Sequence, residues 1–170
     1  ELAAAVSAMS PPPAPVMPPP APVPPVPVKP VAAGDTGLED DVEMRDIFIE
    51  EAREVTTDAH AALERLADAP DNAADLTAVR RAFHTLKGSS RMVGLGEFGE
   101  AAWACEQLFN ARLAESAMAD ADLRGFSTEV LNHFEQWVAA IEVNQAGPFR
   151  HEPVSRAADA LRLQHHRLPL

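Results

Sequence analysis

Residues 73–95 read AADLTAVRRAFHTLKGSSRMVGL, and this stretch decides the fold. Its apolar residues recur at steps of three and four, which places them on one side of an α-helix. They are Leu76, Val79, Phe83 and Leu86. Asp71 or Asn72 stands where an N-cap is expected, and Gly94 stands where a helix of this length should end. The spacing therefore predicts an amphipathic helix over residues 73–92.

Three further segments show the same helical spacing of apolar residues. They are residues 39–67, 97–113 and 120–143. In the first of them, the positions expected to face inward include Val42, Ile47 and Phe48. The links between segments are short, which favours antiparallel neighbours, and the alternation typical of strands is missing. The predicted fold class is all-α, an antiparallel up-down four-helix bundle over residues 35–145 of the 170-residue chain.

Proline marks the boundaries of this bundle. Twelve of the sixteen prolines lie near the N-terminus, interleaved with Ala and Val, a composition that favours extended polyproline II. We expect residues 1–34 to be a Pro/Ala-rich flexible linker, with an SH3 or WW ligand as the alternative. A Gly-Pro pair ends the compact part. Residues 146–170 are therefore expected to form a C-terminal linker or a short helix, near 154–167, that does not pack on the core.

The charge balance excludes one class of partner. The chain has 14 Lys and Arg against 26 Asp and Glu, a net charge of −12. Nucleic-acid binding needs clustered basic residues, so no nucleic-acid partner is expected. A single cysteine, Cys105, excludes a disulfide framework and a CxxC zinc site. No apolar run is long enough to span a membrane. We expect a cytoplasmic protein and, because the first residue is Glu, a fragment of a longer one.

The helix over 73–92 also carries a polar group on or near the side opposite its apolar stripe. The group consists of Arg80, Arg81, His84, Lys87, Gly88 and Arg91. Basic residues thus surround one histidine in an acidic chain. A glycine inside a helix costs about 1 kcal/mol relative to alanine, so Gly88 indicates that another molecule comes close to His84. The plain alternatives are an incidental histidine on a solvated face and a packing reason for the glycine.

The motif HTLKGSS at residues 84–90, followed by Gly94, resembles the HxxKG(S/A/G)(S/A) signature of histidine phosphotransfer (HPt) domains. The stretch at 45–53, RDIFIEEAR, is similar to the first helix of that family. Glu106 stands at the offset where CheA-type domains place a glutamate beside the histidine. The resemblance covers residues 40–143 and is nearest to the HPt domains of CheA-like and hybrid chemotaxis histidine kinases.

The resemblance implies a role for each matched residue. His84 would accept the phosphoryl group through Nε2, and Glu106 would hydrogen-bond to the other ring nitrogen. Lys87 would screen the added charge, and Gly88 would leave room for an approaching receiver domain. The three arginines of the polar group would meet the acidic mouth of a receiver or the ATP site of a kinase, with ordinary surface arginines as the alternative.

The same resemblance implies a function. The domain would pass a phosphoryl group between His84 and the aspartate of a response-regulator receiver domain in a two-component phosphorelay, in chemotaxis or type IV pilus-like signalling. No cofactor or metal is expected on this chain. Mg²⁺ and ATP would come from partner domains, including the histidine kinase catalytic domain of a parent protein, and the isolated domain is expected to be monomeric.

Two alternatives stay open. One is a non-phosphorylated helical docking module for a receiver or a kinase. The other is the dimerisation and phosphoacceptor domain of a histidine kinase, although that group places an acid directly after the histidine, where this chain has Thr85.

Overall fold

Five helices make up most of the chain that the computed structural model describes, residues 37–170, with side chains described from residue 41. The helices are α1 (Gly37–Asp68), α2 (Ala73–Met92), α3 (Gly96–Glu115), α4 (Ala121–Glu142) and α5 (Glu152–Gln164). No strand occurs among the described residues, which confirms the all-helical expectation. None of these helices is long and apolar enough to cross a membrane. The stretch predicted to be a linker, residues 1–34, lies outside the described residues.

Helix α2 begins and ends where the spacing predicted. Asn72 caps its N-terminus, because the Asn72 Oδ1 accepts hydrogen bonds from the backbone N–H groups of Ala74 and Asp75 at 3.0 and 3.3 Å. Gly94 follows the last turn with a φ of +78°, in the left-handed region that favours glycine. Both capping expectations are confirmed.

The core lies where the apolar sides of the helices meet. Helix α2 packs between α1 and α3, α1 also packs against α4, and α5 packs against both α3 and α4. Phe98 of α3 stacks on Phe134 of α4 with ring centroids 4.6 Å apart, and Phe83 of α2 lies 5.6 Å from Phe109. Burying each such ring stabilises the fold by roughly 2–3 kcal/mol. Because α2 is held on two sides, its remaining side faces solvent.

The C-terminal segment packs on the core, so the expectation that it would stay off the core is wrong. Its helix, α5, buries Val154, Ala157, Ala158 and Leu161 against the rest of the protein. Phe149, which precedes α5, stacks on Trp137 of α4 with ring centroids 5.3 Å apart, and this contact holds the segment against the core. Pro153 does not separate a helix from the core. It lies in the first turn of α5, where a missing N–H costs nothing.

Two apolar residues near the start of α1 do not face the core as predicted. Val42 and Ile47 are exposed, whereas the neighbouring Phe48 and Ile49 are buried. At about 100° of rotation per residue, the buried side of α1 passes through Phe48 and Ala52, and Ile47 lies about 100° from the first and about 140° from the second, outside that side. The prediction failed because apolar spacing alone does not show which of two adjacent apolar rows is covered.

Candidate functional site

His84 lies on the solvent-facing side of α2, next to the contact between α2 and α3. Its side chain is 62% exposed. Nδ1 of the ring lies 2.7 Å from Oε1 of Glu106, which projects from the middle of α3. The structure therefore brings together two residues that lie 22 positions apart in sequence. One ring nitrogen is held by protein, and the other belongs to a largely exposed side chain.

Glu106 is a buried carboxylate at the centre of a small network of charged and polar side chains. Only 4% of the residue is exposed. Its Oε2 accepts a hydrogen bond from Lys87 Nζ at 2.6 Å, and Arg80 reaches to within 3.9 Å of Oε1. Burial alone would raise the pKa of the Glu106 carboxyl, but the hydrogen bonds from Lys87 and His84, with their charges, outweigh it and hold that pKa below its usual value.

An ionised Glu106 determines which nitrogen of His84 carries the proton. A carboxylate can only accept hydrogen bonds, so Nδ1 of His84 must donate to it. In the neutral ring the other nitrogen, Nε2, then keeps its lone pair. The arrangement thus presents an oriented nucleophile on an exposed helix surface, with a buried negative charge behind it.

Replacing Glu106 with Gln is expected to lower the free energy of unfolding by about 1–3 kcal/mol near neutral pH, because Lys87 and His84 lose a charged acceptor. The pKa of Glu106 is lowered in the folded state. Its stabilising contribution is therefore complete above the ordinary glutamate pKa of 4.5 and is lost as the pH falls through the folded value. Urea unfolding near neutral pH and well below pH 4.5 should show the gap between the two proteins closing.

Glu64 provides the control for this measurement. It lies exposed on α1 with no ion pair or side-chain hydrogen bond in the described structure. Glu64→Gln should leave the unfolding free energy within about 0.5 kcal/mol of the parent at both pH values. A gap for Glu106→Gln that stays constant on acidification would contradict the assignment of the charge to Glu106.

Gly88 lies one turn after His84 and borders open space. A Cβ built at Gly88 would meet no atom within 4 Å. The packing explanation for this glycine therefore fails, although its cost in a helix remains about 1 kcal/mol. Because Gly88 has no side chain, the surface of α2 beside His84 stays open to an approaching molecule.

The three predicted arginines lie in three different surroundings. Arg80 belongs to the network around Glu106 and also donates to Asn110 Oδ1 at 3.4 Å. Arg91 is engaged by Glu100 of α3 at 2.7 Å. Arg81 is exposed and lines a groove between α1 and α2. The structure thus brings Arg80, but neither of the other two, into contact with the charged groups around His84.

The close approach of α2 and α3 depends on a residue that the sequence reasoning missed. A Cβ at Gly99 would lie 2.8 Å from Arg91 Cγ and 3.1 Å from the hydroxyl oxygen of Ser90, which is fully buried. Gly99 precedes Glu106 by seven residues, about two helical turns, so both lie on the same side of α3. The spacing of Gly99 to Glu106 was the available signal. The small residues at this crossing let Glu106 come within reach of His84.

A shallow apolar groove of about 490 Å³ runs beside His84 between α1 and α2. Its walls include Met44 and Ile47 from α1, and Gly88 and Met92 from α2. Ile47 is 59% exposed and Met92 is 76% exposed. Sequence reasoning missed both methionines and expected Ile47 in the core. Large apolar side chains left this open beside an exposed histidine favour an interaction with another molecule.

One set of possible metal ligands among the described residues lies at the start of α3 and α5. Ligand-type atoms of Glu97, His151 and Glu152 lie within 4.8 Å of one another. The Glu97 carboxylate already accepts the backbone N–H of His151 at 3.0 Å. That contact gives Glu97 a structural role at the N-terminus of α5. None of these residues contacts His84 or Glu106 through a described hydrogen bond.

A family model described as Hpt domain matches residues 43–144, more than half of the chain. The matched range begins inside α1, ends just after α4 and contains His84 and Glu106. No curated protein and no solved structure matches. Helix α5 lies outside the matched range.

Proposed function

The chain belongs to the Hpt domain family, and on that premise we propose that His84 accepts a phosphoryl group and passes it to or from the aspartate of a response-regulator receiver domain. Hpt domains carry out histidine phosphotransfer in phosphorelays, with receiver and kinase domains as partners. The assignment to His84 is carried by one observation, the 2.7 Å contact between Nδ1 and the buried carboxylate of Glu106.

The transfer step follows from that contact. The lone pair of Nε2 forms a bond to phosphorus, and the bond from phosphorus to the donor oxygen breaks. The leaving oxygen, of ADP or of the receiver aspartate, takes the electron pair. The ring keeps its proton on Nδ1, so the phosphorylated ring is cationic until that proton is lost. The negative charge of Glu106 stabilises this cation, which makes Glu106 a positioning residue with an electrostatic effect.

Lys87 neutralises charge on the same side of the site. Its Nζ is held on Glu106 at 2.6 Å, and its side chain is mostly buried. From there it can turn one of its remaining N–H donors toward a phosphoryl oxygen. Both carboxylate oxygens of Glu106 are already engaged by Lys87 and His84. This supports the proposal that Mg²⁺ comes with the receiver or with the ATP of a kinase catalytic domain rather than from this chain.

The groove beside His84 supports docking of the receiver at this surface. Met44, Ile47 and Met92 offer exposed apolar area, which is the usual centre of a protein interface. Gly88 keeps the helix low between that groove and His84, so a receiver seated there can bring its aspartate in line with Nε2. Arg81 is exposed and lies nearer the N-terminus of α2, and Arg91 forms an ion pair with Glu100. We therefore assign both arginines weaker contacts at the edge of the interface.

The wider context is part of the same proposal. The four helices α1–α4 form an antiparallel up-down bundle, as their short links favour. The chain acts as a monomeric, cytoplasmic domain of a CheA-like or hybrid chemotaxis histidine kinase, in chemotaxis or type IV pilus-like signalling. ATP-dependent activity resides in the catalytic domain of that kinase. These points rest on the resemblance of the HTLKGSS motif and on Glu106.

A phosphotransfer panel tests the function. The chain is loaded with phosphoramidate, a small donor whose P–N bond breaks with loss of ammonia, and is then mixed with isolated receiver domains and Mg²⁺. We expect one phosphoryl group per chain, stable to base and labile to acid, which at least one receiver removes. A phosphate that is stable to acid, or a loaded chain that no receiver discharges, contradicts the proposal.

Replacing Gly88 with Ala is expected to separate stability from function. The substitution should raise the free energy of unfolding by about 1 kcal/mol, since alanine is the better helix former and the space at Gly88 is open. It should also slow transfer to the receiver, because the added methyl group stands in the docking surface. Urea unfolding measures the first effect, and single-turnover transfer from the loaded chain measures the second.

Gly96 provides the matched control. A Cβ at this position also meets no atom within 4 Å, and Gly96 does not line the groove beside His84. Gly96→Ala should therefore transfer at the parent rate. Parent-like transfer by Gly88→Ala would show that a receiver does not use the space that this glycine leaves.

A further inference from the structure

The groove beside His84 continues along α1 and α2. A second part, of about 660 Å³, lies further toward the N-terminus of α2 and shares Thr85 with the first. On the α1 side, Glu51 lines the first part and Asp58 lines the second. The two parts together form a surface long enough to receive a helix of a partner protein, with His84 at one edge.

The side of α1 that borders this groove carries three exposed acidic residues that form no ion pair. Glu51, Glu54 and Asp58 are all exposed, and their spacing of three and four residues places them in one row. None of the three forms an ion pair or a side-chain hydrogen bond in the described part of the chain. We call this row the acidic rim.

Several other carboxylates of the bundle have cationic partners. Arg53, on a different side of α1, pairs with Glu142 of α4 at 2.6 Å. Asp75 is held by Arg65 at 2.7 Å, and Glu100 by Arg91 at 2.7 Å. Glu64 and Glu115 are also exposed and unpaired, but they line neither part of the groove. Glu51 and Asp58 do line it, so a partner seated there meets unpaired negative charge on the α1 side. The one arginine lining the two parts of the groove, Arg81, lies on the α2 side.

The charges at the edges of the groove distinguish its α1 side, which is acidic, from its α2 side, which carries Arg81. The apolar floor favours any partner with an apolar surface, whereas unpaired charges at the edge favour one charge pattern and repel the opposite one. A partner with lysine or arginine on the α1 side gains charge pairs and is steered toward the groove. A partner with acidic residues on that side is repelled. Arg81 disfavours a basic partner surface on the α2 side.

We propose, on the basis of the function proposed above, that Glu51, Glu54 and Asp58 select receiver domains whose docking surface carries lysine or arginine on the side facing α1. The acidic rim determines which receiver docks, whereas His84 and Glu106 determine the chemistry. The two roles are separate because no residue of the rim contacts the network around Glu106 through a described hydrogen bond or ion pair.

The test compares two double variants with equal loss of charge. In the first, Glu51→Gln and Asp58→Asn are combined. The second combines Glu64→Gln with Glu115→Gln, two exposed positions that lie outside both parts of the groove. Glu64 is more than 100° around α1 from Glu51 and Asp58. Each protein is loaded with phosphoramidate, the loaded fraction is measured, and transfer from equal amounts of phosphorylated chain is timed at low and at raised ionic strength.

The receivers form two groups, with basic and with acidic residues beside the phosphorylated aspartate. We expect the parent to favour the basic group, and the first double variant to lose about tenfold in transfer rate to that group at low salt. Raised salt should reduce the difference, and the second double variant should match the parent. Equal rates for the first variant and the parent with every receiver would overturn the selection by the rim.

The outcomes also separate this inference from the function on which it rests. If the parent is loaded on His84 and discharged by receivers without regard to their charge, the acidic rim is not selective and the phosphotransfer function stands. If the parent cannot be loaded, or no receiver discharges it, the proposed function itself is contradicted, and the proposed role of the rim falls with it.

Discussion

His84→Gln is expected to abolish phosphorylation of this domain. Glutamine has no ring nitrogen with a free lone pair, so no bond to phosphorus can form at this position, and the loss should be complete. The fold should survive, because the His84 side chain is 62% exposed and contributes little to the core. Intact-mass measurement after incubation with phosphoramidate, or with a cognate kinase and ATP, detects the missing phosphoryl group.

His60 offers a matched control for this experiment. It lies on α1 and, like His84, has a carboxylate partner on a neighbouring helix, with Nε2 lying 3.4 Å from Glu135 of α4. It lacks the following lysine and glycine that the motif places after His84. His60→Gln should therefore be loaded to the same extent as the parent. Equal loading of His84→Gln and the parent would show that another residue accepts the phosphoryl group.

The features of the site that lie within α2 could be predicted from the sequence, but the contact between α2 and α3 could not be predicted from periodicity. The bounds of α2 and the shared side of His84 and Lys87 follow from helical periodicity, and the choice of Asp71 or Asn72 as N-cap follows from residue type. Both are local properties of the sequence. The contact between His84 and Glu106 crosses two helices and depends on how closely they approach. Gly99 and Ser90 set that approach, and periodicity says nothing about the distance between two helix axes. The sequence predicted this contact through a family resemblance.

The arginines show the limit of reasoning from one helix. Arg91 shares a side of α2 with His84, and on that ground it was expected to contact a partner. In the structure Glu100 of α3 pairs with Arg91, and the contact of Arg91 with a partner stays a prediction. The residue that occupies the neighbouring surface decides whether a charge is free, and that residue lies on another helix. The acidic rim was missed for the same reason, since the sequence of α1 does not show which of its acids lack a partner on another helix.

Helix α5 illustrates the same limit at the level of the fold. Residues 154–167 were predicted to form a short helix, and a helix forms at 152–164. The packing of this helix could not be predicted, because it depends on contacts distant in sequence. Trp137 of α4 stacks on Phe149, and α5 then lies against α3 and α4. Nothing in the periodicity of a 13-residue segment reports such a contact.

Leu161→Ala in α5 is expected to lower the free energy of unfolding by about 2–5 kcal/mol, which is the cost of truncating a fully buried leucine. Removing residues 146–170 altogether should cost more, because Val154 and Phe149 also lose their contacts. Such a loss approaches the total stability of a small domain. Urea unfolding of the three proteins measures the effect.

Leu163→Ala tests whether the loss comes from the packing of α5 or from a change in helix propensity. Leu163 lies on the same helix as Leu161 and is 63% exposed, so its truncation should change the free energy of unfolding by no more than about 0.5 kcal/mol. Because α5 packs against α3, which carries Glu106, Leu161→Ala should also slow loading of His84 with phosphoramidate, while Leu163→Ala should not. If both leucine variants unfold like the parent, α5 is not part of the core, and the four helices matched by the family model hold Glu106 in place without it.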